Sequence, residues 1–269
     1  MRLCASYHCD PTNLDEIRYT AATLDLMVEK AIDVPDKLYI LEIVDFKNCG
    51  ISKDKLSSLV NELPNIIVDC YTMVDFLKLA VEFPKKVMYH YPCTTFNEIR
   101  YMLYVQPYAI TLGEPLTFDL ERVKEMLMGS EVKVRVLPAI GRPSTWNIYR
   151  SEDDGICHFW IAPHLVDLYS EYIDVLDLYD ESPEREKALA KIYGNKEETG
   201  WTLSILLKNC EAPTGAYLID EEFAENRMNC RQRCMQNKCH YCKRTESMIN
   251  SVLYDHLSKN GSLENQENK

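Results

Sequence analysis

Short apolar runs and amphipathic segments take turns along the first 195 residues. The runs are Leu3–His8, Lys37–Asp45, Asn65–Cys70, Lys86–Tyr91, Tyr108–Leu112, Val132–Leu137, His158–Ile161 and Ile173–Leu178. They are rich in Val, Ile, Leu, Tyr or Phe, and most lie next to Pro, Asn, Asp or Gly, which is the pattern of buried strands. The segments between them carry helix-start signals. Thr95-Phe-Asn-Glu98 reads as a capping box for a helix reaching about Gln106. Thr72 precedes Asp75 in the same way, and Ser52 precedes KDKLSSLVNEL. Thr117 stands before the acids Asp119 and Glu121, with Gly129 at the far end. Ser182-Pro183 opens EREKALAKIY, and Gly194 is expected to stop it. Ile140–Gly155 breaks the rhythm and reads as a long loop.

Strand–helix alternation implies parallel strands joined by crossover helices. Eight such units predict an α/β fold, a (β/α)8 TIM-like barrel over residues 1–198. The rival is an open doubly wound sheet. No glycine-rich phosphate loop opens the first helix, and the chain holds only nine glycines, so a dinucleotide-binding domain is poorly supported. From Thr199 the pattern changes to a small, mainly helical, cysteine-rich appendage over 199–257. Residues 258–269 are polar and read as a disordered tail.

Composition narrows the choice of partners. In 269 residues, 42 acids face 30 bases, for a net charge of −12. An acidic chain is poorly suited to binding nucleic acid or anionic membrane over its whole surface, so any such contact needs a local basic patch. No run approaches the roughly 18 apolar residues of a membrane span. The opening MRLCASYHCDPTN lacks the apolar core of a secretory signal. These features predict a cytoplasmic protein with no membrane association. The 11 cysteines then point to metal-binding or reactive thiols, not to disulfides.

Four of those cysteines fall in thirteen residues: Cys230, Cys234, Cys239 and Cys242. Four soft thiolates so close in sequence can close round a zinc ion or a four-iron four-sulfur cluster, and the spacing leaves both open. The enclosing window, 226–244, holds Arg227, Arg231, Arg233, Lys238, Lys243 and Arg244 and no acid. Four thiolates on divalent zinc leave a local charge of −2, which neighbouring cations offset. The sharper alternative is contact with nucleic-acid phosphate through Arg231, Arg233 and Lys238, with Tyr241 stacking on a base.

The piece Asn226-Arg227-Met228-Asn229-Cys230-Arg231-Gln232-Arg233-Cys234 resembles the Asn-Arg-x-x-Cys-x-x-x-Cys signature of the collagenase-like peptidase family. The resemblance implies a barrel protein with a cysteine-ligated iron–sulfur cluster, with Cys230 and Cys234 as two ligands. Some members of that family act in hydroxylation of RNA bases or of the ubiquinone ring. The match spans nine residues. The family's upstream His-Gly-x-x-Cys and Ser-Gly-x-Cys stretches are missing, and Cys239 and Cys242 follow directly instead.

Barrel chemistry sits at the carboxyl ends of the strands. Ionisable residues inside or just after buried strands are therefore candidates: Glu42, Asp69 and Glu114 as carboxylates, His90 as a proton carrier, and Arg135 as an anion clamp. A structural reading competes with each, including a salt bridge between Arg135 and Glu42 and a core role for His90. Three functions follow. One is an enzyme acting on a small-molecule or nucleotide-like polar or anionic substrate. The second is a zinc-stabilised binding module touching nucleic acid. The third is a non-catalytic structural barrel.

Overall fold

The computed structural model describes residues 1–113, 116–140, 159–179 and 182–196, together with residues 224, 225 and 228. Among the described residues, eight strands form one parallel sheet: β1 (Arg2–Ser6), β2 (Glu16–Thr20), β3 (Leu38–Ile43), β4 (Ile66–Cys70), β5 (Val87–Tyr89), β6 (Ala109–Leu112), β7 (Lys133–Val136) and β10 (Val175–Asp177). Spatial order runs β5-β4-β3-β2-β1-β10-β7-β6. The two ends also meet. The Tyr108 amide donates to the Val87 carbonyl at 2.8 Å, and Cys93 forms a parallel bridge to Leu112. The result is a nearly closed (β/α)8-type barrel. The remaining pair, β8 (Ala139–Ile140) and β9 (Phe159–Trp160), is a separate antiparallel ribbon.

Seven of the eight expected runs supply barrel strands. The exception is His158–Ile161, whose strand β9 lies outside the barrel. Its place is taken by β2, EIRYT, which the apolar-run pattern passes over. In β2, Ile17 and Tyr19 join the core under the helices, while Glu16 and Arg18 are buried among other barrel-lining side chains. Charges on the lining face and apolar residues on the helix face reverse the usual inside–outside pattern. The β1–β2 connection also departs from the expected rhythm. It contains one 3-10 turn, Pro11–Asn13, capped by Asp10, which accepts from the Thr12 amide at 2.9 Å.

The helices are α1 (Leu24–Asp33), α2 (Lys53–Glu62), α3 (Met73–Glu82), α4 (Phe96–Val105), α5 (Leu120–Leu127) and α6 (Pro183–Asn195). Their caps are largely the expected ones. Ser52, Thr72 and Thr95 accept from the backbone three residues on, and Thr95 with Glu98 completes the capping box. Each helix buries a stripe at three- and four-residue spacing, such as Phe76, Leu79 and Ala80 of α3. α5 begins after Asp119 and not after Thr117. α6 runs past Gly194 to Asn195 and is capped by Lys196, which is left-handed at φ 54°. Gly194 serves close packing instead, because a Cβ there would lie 2.8 Å from the Asn13 side chain.

Among the described residues, two apolar clusters result. The large one fills the space between the barrel wall and the helices. The small one lines the barrel interior: Cys4, Ile40, Ile67, Met88, Ala109 and Val175, from β1, β3, β4, β5, β6 and β10. The other two strands, β2 and β7, contribute Glu16, Arg18 and Arg135. No helix among the described residues is long and apolar enough to cross a membrane.

Candidate functional site

A continuous chain of ion pairs runs along the barrel interior. At the amino end of the strands, Tyr108 donates its hydroxyl to Glu16 Oε1 at 2.7 Å, and Arg2 pairs with the same oxygen at 3.1 Å. Arg135 bridges Glu16 Oε2 at 3.0 Å and Asp177 Oδ2 at 2.9 Å. Its second nitrogen also donates to the Cys4 sulfur at 3.2 Å. Arg18 then takes Asp177 through Nε and Nη2 and reaches toward the carboxyl ends of the strands. There its Nη1 donates to Asp69 Oδ2 at 2.7 Å and to Glu42 Oε1 at 2.9 Å. His90 Nδ1 closes the chain, 3.0 Å from Asp69 Oδ2.

Strand register brings these groups together. Glu42 and Asp69 are direct partners across β3 and β4, and Asp177 pairs with Cys4 across β10 and β1. Adjacent parallel strands place register partners on the same face, so alternate positions of several strands converge.

Burial separates the members. The Arg135 side chain is 0% exposed, Arg18 3%, Asp69 1% and Asp177 5%, whereas Glu42 reaches 11% and His90 18%. Among the described residues, solvent therefore meets the network through His90 and Glu42 at the carboxyl ends of the strands and through Arg2, 31% exposed, at the amino ends. Burial alone would push the Asp69 carboxyl up. The hydrogen bond with His90 and the Arg18 guanidinium outweigh it and hold Asp69 below the usual carboxylate range. At Asp177 the same contest, with burial opposed by Arg18 and Arg135, ends far below that range. Burial also raises the Tyr71 hydroxyl, with the nearby Glu42 charge adding to it.

An ionised Asp69 can only accept, so the proton in this contact sits on His90 Nδ1, leaving Nε2 as the second working nitrogen. Tyr71 stacks on the imidazole with centroids 3.7 Å apart and planes 14° from parallel. Tyr91 and Tyr179 meet the same ring edge-on at 5.5 and 6.1 Å. The Tyr71 hydroxyl also lies 3.4 Å from Glu42 Oε1. His90 is therefore fixed in plane, tautomer and position.

Of the residues expected from sequence, Glu42, Asp69 and His90 do meet. Arg135 differs from its expected role as an anion clamp. It is fully buried and committed to Glu16 and Asp177, and Arg18, not Arg135, is the cation that pairs with Glu42. Glu114 lies outside the described residues, as do Cys230, Cys234, Cys239 and Cys242 and the basic Arg231, Arg233 and Lys238 with Tyr241. Sequence reading missed Glu16 and Arg18. The signal available for them was two charges at alternate positions of EIRYT. Tyr71, directly after β4, was equally unmarked.

Glu42, Asp69 and His90 each present a donor atom within 4.8 Å of the others, close enough to ring a cation. Arg18 already neutralises two of the three, which disfavours a second positive charge there. A surface hollow of about 300 Å³ bordered by Lys85, Gln106 and Glu131 lies at the opposite, amino end of the strands and is unconnected with this chemistry. Compared with descriptions of known protein families and with curated proteins, the sequence matches none.

Proposed function

We propose that this chain is a barrel enzyme performing general acid–base chemistry on a small polar or anionic group at the carboxyl-end mouth. The observation that carries the reading is the Asp69–His90 pair, with Arg18 behind it. A buried ionised carboxylate orients the imidazole and fixes its tautomer, so His90 can take a proton through Nε2 and return it. Glu42 adds a carboxylate at the solvent edge of the same cluster. The tyrosines around His90 offer faces and edges suited to a flat ring, which favours a nucleobase or nucleotide-like substrate. In the same reading the four C-terminal cysteines hold zinc or a four-iron four-sulfur cluster. The support for that part is the chemistry and spacing of the donor set alone.

The test is a ligand screen by saturation-transfer NMR with nucleobases, nucleosides, nucleotides and small carboxylates. Binders should be lost or weakened in Glu42→Gln. Turnover of a confirmed binder should fall by roughly 10²–10⁴ in His90→Gln, the span expected for a lost acid–base group. Binders indifferent to both substitutions would place the working site elsewhere. A nucleic-acid binding module is the second reading, favoured by the basic window 226–244 in an otherwise acidic chain. It expects RNA or DNA affinity that falls steeply with salt and disappears when Arg231 and Arg233 become Glu.

A further inference from the structure

Beyond the ion-pair chain, a second group of chemically active side chains lies where β1 ends. The chain leaves β1 at Ser6 and turns, with the Cys9 amide donating to the Ser6 carbonyl at 3.0 Å. This turn places His8 and Cys9 beside Glu186 of α6. Glu186 is wholly buried. Its Oε1 accepts from the Ser6 amide at 2.7 Å, which fixes the carboxylate. Its Oε2 lies 2.9 Å from His8 Nε2, yet both atoms are buried and neither has a hydrogen-bond partner of acceptable geometry among the described residues. Cys9 is also buried, and its sulfur lies within 4.8 Å of a ring nitrogen of His8 and a carboxylate oxygen of Glu186.

Two buried polar atoms meeting at 2.9 Å without an aligned hydrogen atom between them need an explanation, because buried polar groups in folded proteins are nearly always hydrogen-bonded. A shared third atom would supply one. We propose that His8 Nε2, Cys9 Sγ and Glu186 Oε2 form a binding site for a zinc-class divalent transition metal ion. The donor set is one imidazole, one thiol and one carboxylate. That mixture suits zinc, cobalt or nickel, whereas magnesium and calcium demand oxygen. Metal–ligand distances of roughly 2.0–2.3 Å place neighbouring donors about 3–4 Å apart. The His8–Glu186 contact is already that close, and Cys9 needs a movement of at most about 1 Å on a turn where His8 is partly exposed.

Three protein ligands leave a fourth position for water, the arrangement of an open site. The opposing feature is Lys187, whose charge acts on Cys9. It is one exposed cation against a carboxylate and a potential thiolate. Arg18, by contrast, sits inside the Glu42–Asp69–His90 donor set and is bonded to two of its members. The site ties the end of β1 to α6, so a bound ion would also staple those elements. It is independent of the acid–base reading of the mouth.

The experiment uses the full chain with Cys230, Cys234, Cys239 and Cys242 all changed to Ser, which removes the other thiol cluster. Cobalt(II) titration should give one bound ion per chain and a thiolate-to-cobalt charge-transfer band. Adding Cys9→Ser should abolish the band. His8→Gln should weaken binding by roughly tenfold or more, since even outer partners of metal ligands are worth that much. A folded four-serine chain that binds no cobalt would overturn the proposal, as would a band that survives Cys9→Ser. If the four-serine chain does not fold, zinc is counted by equilibrium dialysis in the unaltered chain. That chain should hold one more equivalent than either Cys9→Ser or His8→Gln, and equal counts in all three would overturn the proposal.

Discussion

Arg18→Met is the sharpest perturbation of the barrel interior. The change keeps a long side chain and deletes one charge. Three carboxylates then lose a partner: Asp69 at 2.7 Å, Glu42 at 2.9 Å, and Asp177, which Nε approaches at 3.3 Å. Asp177 retains Arg135, while among the described residues Asp69 keeps His90 and Glu42 keeps Tyr71. Removing one partner of a buried ion pair costs about 3–5 kcal/mol, because the uncompensated charge stays out of water. Against a typical total of about 5–15 kcal/mol this is a large fraction. At about 2–4 °C per kcal/mol for a domain of this size, the melting midpoint should fall by roughly 6–20 °C at pH 7.

The deficit should depend on pH in a stated direction. Asp69 and Asp177 have folded pKa values below their unfolded ones. Their contribution is therefore complete above about pH 3.9 and is lost as pH falls through the folded values. In Arg18→Met the depression weakens and mutual repulsion pushes the carboxyls up, so they take protons earlier and the repulsion is relieved. The gap between the two proteins should narrow as pH falls from 7 towards 4. Circular-dichroism melts across that range measure it, with Arg18→Lys losing less because it keeps the charge. A midpoint shift under about 3 °C at pH 7 would refute the reasoning, and so would a gap that stays constant with pH.

Gly194→Ala should destabilise by about 1–3 kcal/mol, because the new methyl meets Asn13 at 2.8 Å; Asn13→Gly should restore most of the loss, and a double variant no better than the single would remove Asn13 as the cause. Thr95→Ala breaks the α4 capping box and should cost about 0.5–2 kcal/mol, read as faster amide exchange at Glu98 relative to the barrel strands. Protein purified without oxygen should carry zinc or iron in an amount that falls in Cys239→Ser. Unchanged stoichiometry would take that residue out of the proposed C-terminal site.

The parts of this fold that could be read from sequence are those whose signal is local. Thr95-Phe-Asn-Glu98 announces α4 because a capping box satisfies its own backbone within four residues. The run LYILEI, which forms β3, is a strand in any context that buries both faces. β2 carries no such signal. EIRYT is stable as a strand only because Arg2 and Arg135 reach Glu16, and Arg18 reaches acids on β3, β4 and β10. Those partners are distant in sequence, so their compensation is invisible along the chain. The same logic divides the site. Glu42, Asp69 and His90 were legible because a charge at the end of an apolar run needs a reason. Arg135 was legible as unusual but not as to role, since its role depends on which acids lie opposite. Arg18 is the clearest case: it is the residue that joins Asp177 to Asp69 and so couples the sealed interior to the open edge. A charge that looks like surface in one dimension becomes, after closure of the sheet, the counter-ion that keeps Asp69 ionised beside His90. The acid–base reading therefore depends on barrel closure, and the Arg18 melts test the electrostatic arrangement on which His90 relies.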